Sequence, residues 1–258
     1  MGKRVAIHAN MTARHHLEWA AALAKGFTRH GLVPVTTGDA NHEADYHVVI
    51  GPWYCYDRWE GQPNVLFLDR CFFGDHVGTA SVGWLRGDGS RDFMNLNMPS
   101  IRWVLTGEPV SPWQRIMLGG QVLILADYGQ DTTSIFNRFH DLQPLIDPAA
   151  IQERKHPNNC PFPPRSLDDE LAQADFVIGF KSTALIRAIM KGIPACCLDK
   201  RSPAYGFVTT ELGDFSRPDR TQWLYDLAYA QWSHEEMVKG KMWDHLKRDS
   251  FEEVDDVA

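Results

Sequence analysis

Two short segments in the last third of the chain carry residues that could bind an anion. The run Arg-Lys-His-Pro at 154–157 is followed about twenty-five residues later by Lys-Ser-Thr at 181–183. Residues 176–180 form an apolar run typical of a buried strand, and apolar residues recur at helical spacing after 183. Hydroxyl residues between such a strand and helix direct free N–H groups and the positive end of the helix dipole toward a ligand. The pattern predicts a phosphate site, and therefore a phosphorylated or nucleotide-linked ligand.

The expected phosphate contacts each have a structural alternative. His156 could cap a strand end, and Arg154 could form a surface salt bridge. Ser182 and Thr183 could be ordinary helix caps, although Lys181 adds positive charge at the same point.

The elements that position these residues belong to an ordinary globular chain. At 258 residues, with 44% hydrophobic and 23% charged residues, it can form one large domain or two small ones. No apolar run reaches the roughly 20 residues of a membrane span. The five cysteines lack Cys-x-x-Cys spacing, which favours reduced thiols and a cytoplasmic location.

Charge does not identify a partner. The net charge is −7, but residues 1–118 hold 11 basic and 11 acidic side chains. The last ten residues, 249–258, hold five acids and no base, which indicates a solvated acidic tail.

Periodicity predicts an α/β fold in two units. In the first half, strands are expected at 5–7, 33–35, 46–50, 65–68 and 81–85, with a helix over 12–29. This alternation favours a parallel sheet covered by helices. In the second half, strands are expected at 121–126, at 176–180 and at 196–198, and a further strand is expected to end at 156. Helices are expected at 133–142, at 166–174 and after 183.

Periodicity fades between 94 and 120, where prolines and a Gly-Gly pair accumulate. We place the domain boundary there. Capping signals near Ser216 and Ser233 predict helices at the end of the chain. The expected domains are an acceptor-side Rossmann-like unit at 1–118, a donor-side Rossmann-like unit at 119–215, C-terminal helices at 216–248 and the acidic tail at 249–258.

Two nucleotide-binding classes are disfavoured. The turn after the first strand lacks G-x-G-x-x-G, and no G-x-x-x-x-G-K-[ST] occurs in the chain. There is no Asp-x-Asp either, so a metal-independent mechanism is expected.

The order of segments in the second half resembles a known family. A Gly-Gln-Asp segment at 129–131, Arg-x-His-Pro at 154–157, Ser-Thr-Ala-Leu-Ile at 182–186 and Gly-Ile-Pro at 192–194 resemble the donor half of GT-B glycosyltransferases. Bacterial capsule-type and polysialyltransferase-like enzymes are the most similar members. The compact length also resembles bacteriophage-encoded transferases that modify hydroxymethylated DNA bases. Arg187 departs from the glutamate that many GT-B enzymes place on this helix.

The resemblance implies a GT-B-like fold, a nucleotide-sugar donor, with UDP-hexose expected, and no tightly bound cofactor. It implies that the donor contacts are Gln130, Asp131, Arg154, His156, Lys181, Ser182 and Thr183. His156 is expected to act in catalysis by stabilising the leaving phosphate. Gln130 and Asp131 could instead only shape a turn.

A candidate base lies in the first half. The segment Asp-Arg-Cys-Phe at 69–72 resembles the Asp-x-Gly-Phe motif of some of these enzymes, with Cys71 in place of glycine. Asp69 follows an apolar strand and could accept the proton of an attacking hydroxyl. Its rivals are Asp75, His76, His15 and His16, and a structural Asp69–Arg70 turn is the alternative. A metal pair at His15 and His16 is disfavoured, because neighbouring helical residues point to different faces.

The expected acceptor is a 5-hydroxymethylated pyrimidine such as 5-hydroxymethylcytosine in phage DNA, modified in the host cytoplasm. Aromatic residues and arginines in the first half could hold phosphates and stack a flipped base, or they could pack the core. The acceptor contacts expected are Arg14, His15, Arg58, Arg86 and Asp75, with Arg91 as a further arginine. The alternatives are an envelope polysaccharide transferase and a non-catalytic protein that binds nucleotide sugar or nucleic acid.

Overall fold

A computed structural model describes residues 2–51, 56–59, 61–74, 78–115, 120–127, 131–133, 135, 137, 148–156 and 165–247. These residues form a mixed α/β fold. The strands are β1 Arg4–His8, β2 Val33–Thr37, β3 Tyr46–Ile50, β4 Val65–Arg70, β5 Thr79–Leu85, β6 Arg91–Asp92, β7 Val122–Leu125, β8 Ile151–Arg154, β9 Phe176–Gly179, β10 Ala195–Cys197 and β11 Gln231–Ser233. The helices are α1 Arg14–Arg29, α2 Tyr56–Trp59, α3 Ile101–Thr106, α4 Leu167–Leu171, α5 Thr183–Met190, α6 Thr221–Tyr229, α7 His234–Val238 and α8 Lys241–Leu246.

The first sheet has seven strands in the order β11-β5-β4-β3-β1-β2, with β6 paired to β5. Strands β1 to β4 are mutually parallel, which confirms the parallel sheet expected from the sequence. Strand β5 runs antiparallel to β4. Only residues 71–78 join the two strands, too few for the crossover that a parallel neighbour requires.

The second sheet has four parallel strands in the order β10-β9-β7-β8. Its central strands, β7 and β9, are buried along their full length, as expected for parallel strands covered on both faces. The connection from β7 leads to β8 on one side of the sheet, whereas the connection from β9 leads to β10 on the other side. Such a reversal opens a crevice at the carboxyl ends of the two strands, where ligands of α/β sheets usually bind.

An apolar cluster joins the segment after β4 to the second sheet. Phe72 and Phe73 pack with Ile186 and Met190 of α5 and with the buried face of α6. The Ser111 amide also donates to the Met190 carbonyl over 2.9 Å, which connects the segment after α3 to the same helix. The strand that carries the candidate base is therefore packed, through the two phenylalanines that follow it, against the helix expected to bind phosphate.

The C-terminal segment returns to the first sheet. Strand β11 pairs with β5, and α7 lies so close to α1 that a Cβ on Gly26 would approach the Met237 carbonyl oxygen to 2.0 Å. The capping box at Ser233 and Glu236 is confirmed. The cap near Ser216 is displaced, because α6 begins at Thr221 and the Asp219 carboxylate accepts from the Thr221 amide over 2.9 Å.

Other expected elements differ in detail. The segment between 94 and 120 contains α3, and β11 interrupts the helices expected after 216. The helix expected over 133–142 and the acidic tail fall largely or wholly outside the described residues. None of the described helices is long and apolar enough to span a bilayer.

Two buried histidines predict a loss of stability in acid. His8 and His16 are 3% and 4% exposed, and burial first, then neighbouring histidines, lowers the pKa of each from 6.5 to about 4. The unfolded chain therefore takes up protons first as the pH falls below 6.5, so stability is present above that pH and lost toward 4. Relative to neutral pH, each histidine lowers the free energy of unfolding by on the order of 3 kcal/mol once it is protonated in both states.

Denaturant unfolding between pH 4 and 7.5 measures this effect. The free energy of unfolding should fall steadily below pH 6.5, and His8→Gln should flatten the profile. A profile that is flat in the native protein would contradict the burial of neutral histidines.

Candidate functional site

The carboxyl edge of the second sheet brings polar residues from three strands together. Asp127 follows β7, His156 follows β8 and Lys181 follows β9. The backbone N–H of Lys181 donates to the Asp127 carboxylate over 2.9 Å. This bond fixes the start of the loop that enters α5, at the reversal point between β7 and β9.

Helix α5 begins directly at this edge. Ser182 is its N-cap, and the hydroxyl accepts from the Ala184 amide over 3.2 Å. The helix lies close to β9, because a Cβ on Gly179 would come within 3.1 Å of the Leu185 side chain. The cap role considered for Ser182 is thus observed. It is compatible with anion binding, since the amides of a first helical turn have no partner within the helix.

The edge carries charges of both signs. Burial raises the pKa of Asp127, and the nearby Lys181 and His156 charges oppose that rise. Asp199, after β10, is also close enough to raise it. Burial alone would raise the pKa of Asp199 too, but hydrogen bonds from Arg201 and the charge of Lys181 bring it below its usual value. The charge of Lys181 therefore lowers the pKa of both carboxyl groups.

Asp127 and Asp199 were not selected from the sequence. Each lies two residues after the end of an apolar strand. A carboxylate in that position is a sequence pattern that could have identified them. Their proximity depends on β7, β9 and β10 being neighbours in space, and strand order is not visible in a single sequence.

Arg154 occupies the salt-bridge role considered for it. Its guanidinium pairs with Glu170 of α4, and the two side chains are only 14% and 12% exposed. The same nitrogen also donates to the Arg165 carbonyl over 3.1 Å. The pair links the edge strand β8 to α4, so Arg154 supports the strand that carries His156.

Breaking this buried pair should cost stability. Arg154→Ala leaves the Glu170 carboxylate buried without its partner, and we expect a loss of about 3–5 kcal/mol in unfolding free energy. The matched double variant Arg154→Met with Glu170→Leu should recover most of it. If the double variant is stable but loses nucleotide affinity, Arg154 also contacts the donor. If Arg154→Ala unfolds like the native protein, the pair has no structural role.

The remaining donor-side residues are less informative. Gln130 lies outside the described residues. Asp131 is exposed, and its carboxylate accepts from the Thr133 amide over 2.9 Å. Asp131 therefore shapes a turn, which is the alternative considered for this segment. A contact between Asp131 and the donor stays a prediction. Arg187 is engaged with Asp168 over 2.6 Å.

Asp69 is the penultimate residue of the parallel strand β4, at the carboxyl edge of the first sheet, and is half-buried. One carboxylate oxygen accepts from the Arg70 amide over 2.7 Å. Both residues lie within β4 and pair with β5, so the structural turn considered for Asp69 and Arg70 is not formed. The second carboxylate oxygen takes no part in the bond to Arg70. Asp75 and His76 lie outside the described residues. His16 is buried, and its ring nitrogen accepts from the Asn10 amide over 3.2 Å, which makes it a structural residue.

The expected acceptor residues lie at opposite edges of the first sheet. Arg14 and His15 begin α1, after the carboxyl end of β1, on the same edge as Asp69. Arg86 follows the antiparallel strand β5, whose end pairs with the start of β4, so it lies at the other edge. Arg58 borders a cavity with Arg4, at the amino end of β1.

These arginines also have partners within the chain. Arg14 pairs with Glu18 over 2.7 Å and Arg86 with Asp92 over 3.2 Å. Arg58 donates to Asn41 and lies over the Trp59 ring. Arg91 stacks near Phe67, 5.4 Å from its ring centre. A single cationic surface around Asp69 is therefore not formed by these side chains.

Within the described ranges, no three His, Cys, Asp or Glu side chains are grouped as metal ligands. The rings of His15 and His16 meet edge to face at 4.5 Å.

Comparison with known proteins leaves the family open. No family model and no curated protein matches the chain. The solved structures similar to it include two of KpsC from Thermosulfurimonas dismutans. The beta Kdo 2,7 transferase is 12% identical, with a TM-score of 0.48, over 93% of this chain and 98% of that one. The beta Kdo 2,4 transferase is 11% identical, with a TM-score of 0.49, over 88% and 90%. Likeness at this level assigns neither a family nor an activity.

Proposed function

We propose that this protein is a glycosyltransferase that moves a sugar from a nucleotide sugar to a hydroxyl acceptor, with a GT-B-like pairing of its two sheets. The observation that carries the proposal is the carboxyl edge of the second sheet. There Lys181 directly precedes the N-cap of α5, and the charges of Lys181 and His156 both act on Asp127, at the point where the strand order reverses. Cations and helical amides at such a point suit the phosphate groups of a nucleotide.

In the proposed reaction, an acceptor oxygen attacks the anomeric carbon while the bond from that carbon to the donor phosphate breaks. Negative charge grows on the departing phosphate. Lys181, His156 and the amides at Ser182 and Thr183 stabilise that charge, and Asp127 fixes the Lys181 backbone in position. Stabilisation that increases toward the transition state accelerates the reaction.

Asp69 is the proposed base. Its second carboxylate oxygen would take the proton of the acceptor hydroxyl as the new bond forms. The packing of Phe72 and Phe73 against α5 supports this role, because it ties the segment after Asp69 to the helix of the phosphate site.

An envelope-type glycan is the proposed acceptor. A DNA acceptor needs a continuous cationic surface for phosphates, whereas Arg14 and Arg86 are paired with carboxylates at opposite sheet edges. UDP-hexose as donor, independence of metal and a cytoplasmic location remain part of the proposal.

A panel assay tests this function. The protein is incubated with UDP-, GDP-, CMP- and dTDP-sugars and with either glycan acceptors or hydroxymethylated DNA, and products are weighed by mass spectrometry. Mass gain on a glycan, retained in EDTA, is the expected result. If no donor is hydrolysed or transferred, the protein is not a glycosyltransferase, and nucleotide binding without turnover would identify a non-catalytic binding protein.

Salt separates the two acceptors. Neutralised phosphates release counterions, so affinity for DNA falls steeply between 50 and 200 mM salt, by roughly 10³-fold or more for six contacts. We expect a shallow salt profile for the acceptor of this protein. The glycan assignment would be overturned by mass gain on hydroxymethylated DNA together with a steep salt dependence of DNA affinity. Arg14→Ala or Arg58→Ala should then make that salt dependence shallower.

A further inference from the structure

A further cavity lies near the C-terminal end of α5, away from the carboxyl edge of the second sheet. It has a volume of about 440 Å³ and is formed by the segment after α3 and the start of α6. This volume is within the usual range for small-molecule sites. Among the residues that line it are Trp103, Val110, Trp113, Arg217, Asp219 and Tyr225.

One aromatic wall of this cavity is held in a fixed position. The Trp113 indole N–H donates to the Pro218 carbonyl over 3.0 Å, and the Arg220 guanidinium lies 4.2 Å from the ring centre. Arg220 is itself buried and donates to the carbonyls of Ile189 and Ser111. A ring fixed in this way loses little conformational entropy when a ligand packs against it.

The cavity is separate from the proposed phosphate site. Arg220 bonds the carbonyl of Ile189, near the C-terminal end of α5, whereas the phosphate site is at the N-terminal end. At 1.5 Å per residue, this eight-residue helix is about 12 Å long. A ligand in the cavity therefore leaves the donor crevice open.

We propose that this cavity is a glycan-binding subsite, which takes a pyranose unit of an acceptor chain at a distance from the reacting hydroxyl. The inference rests on the proposed transferase function. Aromatic rings offer flat apolar faces that suit the C–H faces of a sugar ring. The exposed side chains of Arg217 and Asp219 place a donor and an acceptor of hydrogen bonds at the rim, as neighbouring sugar hydroxyls require.

Such a subsite explains how one enzyme can favour a long acceptor over a short one. Binding energy from a remote sugar unit adds to that of the reacting unit, as two linked contacts do. Loss of the subsite should lower affinity for oligosaccharides and leave a monosaccharide acceptor unaffected.

Calorimetry tests the subsite with chitotetraose, maltotetraose and tetragalacturonate, without any nucleotide. We expect saturable binding of at least one, weakened about tenfold or more by Tyr225→Ala and by Arg217→Ala. Tyr225→Phe keeps the ring and should bind nearly as the native protein does. Lys239→Ala, an exposed change directly after α7, is the matched control, and thermal unfolding checks that each variant folds.

Two results would overturn the subsite. One is that none of the three saccharides binds at about 10 mM. The other is that binding is unchanged in both Tyr225→Ala and Arg217→Ala. Because the calorimetry contains no donor, it measures glycan binding independently of transfer. Glycan binding by a protein without transferase activity would therefore contradict the proposed function and leave the subsite in place.

Discussion

Asp69→Asn is expected to reduce glycosyl transfer by about 10²–10⁴-fold. The amide keeps the shape of the side chain, and its oxygen can still accept from the Arg70 amide as Asp69 does. It cannot take a proton from the acceptor hydroxyl. Nucleotide affinity should be unchanged, because Asp69 lies on the first sheet and the proposed phosphate contacts lie on the second.

Steady-state kinetics with calorimetry of the nucleotide measures this prediction. Asp88→Asn is the matched control, since Asp88 caps a surface turn through Ser90 and an asparagine serves that turn equally well. Full transfer by Asp69→Asn, together with loss in Asp75→Asn, would move the base six residues along the chain. Equal losses in nucleotide affinity and turnover would indicate a structural role for Asp69.

Lys181→Ala and His156→Ala are each expected to lower kcat by about 10²–10³-fold, the usual effect of losing one contact to developing charge. The charges of Lys181 and His156 both lower the pKa of the same carboxyl group, Asp127. We therefore propose that both contact one phosphate group in the crevice. Donor affinity should fall less than turnover, because the charge grows as the phosphate leaves.

Lys191→Ala controls for loss of a positive charge at the opposite end of α5. Lys191 follows the C-terminal end of α5, pairs with Asp168 and is 39% exposed. Its replacement should leave kcat and KM near native values. Native activity of both Lys181→Ala and His156→Ala at saturating donor would refute the phosphate assignment.

The sequence predicted the elements better than their arrangement. Short continuous apolar runs in the sequence predicted the positions of β1, β3, β4, β7 and β9. Strands buried in a parallel sheet are almost wholly apolar, so these runs are easy to recognise. The antiparallel direction of β5 and the return of β11 to the first sheet depend on contacts distant in sequence. Local periodicity carries no information about such contacts.

The candidate site was predicted unevenly for the same reason. His156, Lys181 and Ser182 follow strands that the structure brings to one edge. Asp127, which joins them, is a carboxylate after a strand like several others. Arg86 was grouped with the acceptor residues by composition alone, and the reversed direction of β5 takes it to the far edge.

A crystal structure with a bound nucleoside diphosphate tests the central claim most directly. We expect phosphate oxygens within hydrogen-bonding distance of the Lys181 ammonium group and of the amides at Ser182 and Thr183. The His156 imidazole should contact the same phosphate group. A nucleotide bound elsewhere, or a crevice that stays empty at saturating nucleotide while the protein binds it in solution, would contradict the assignment.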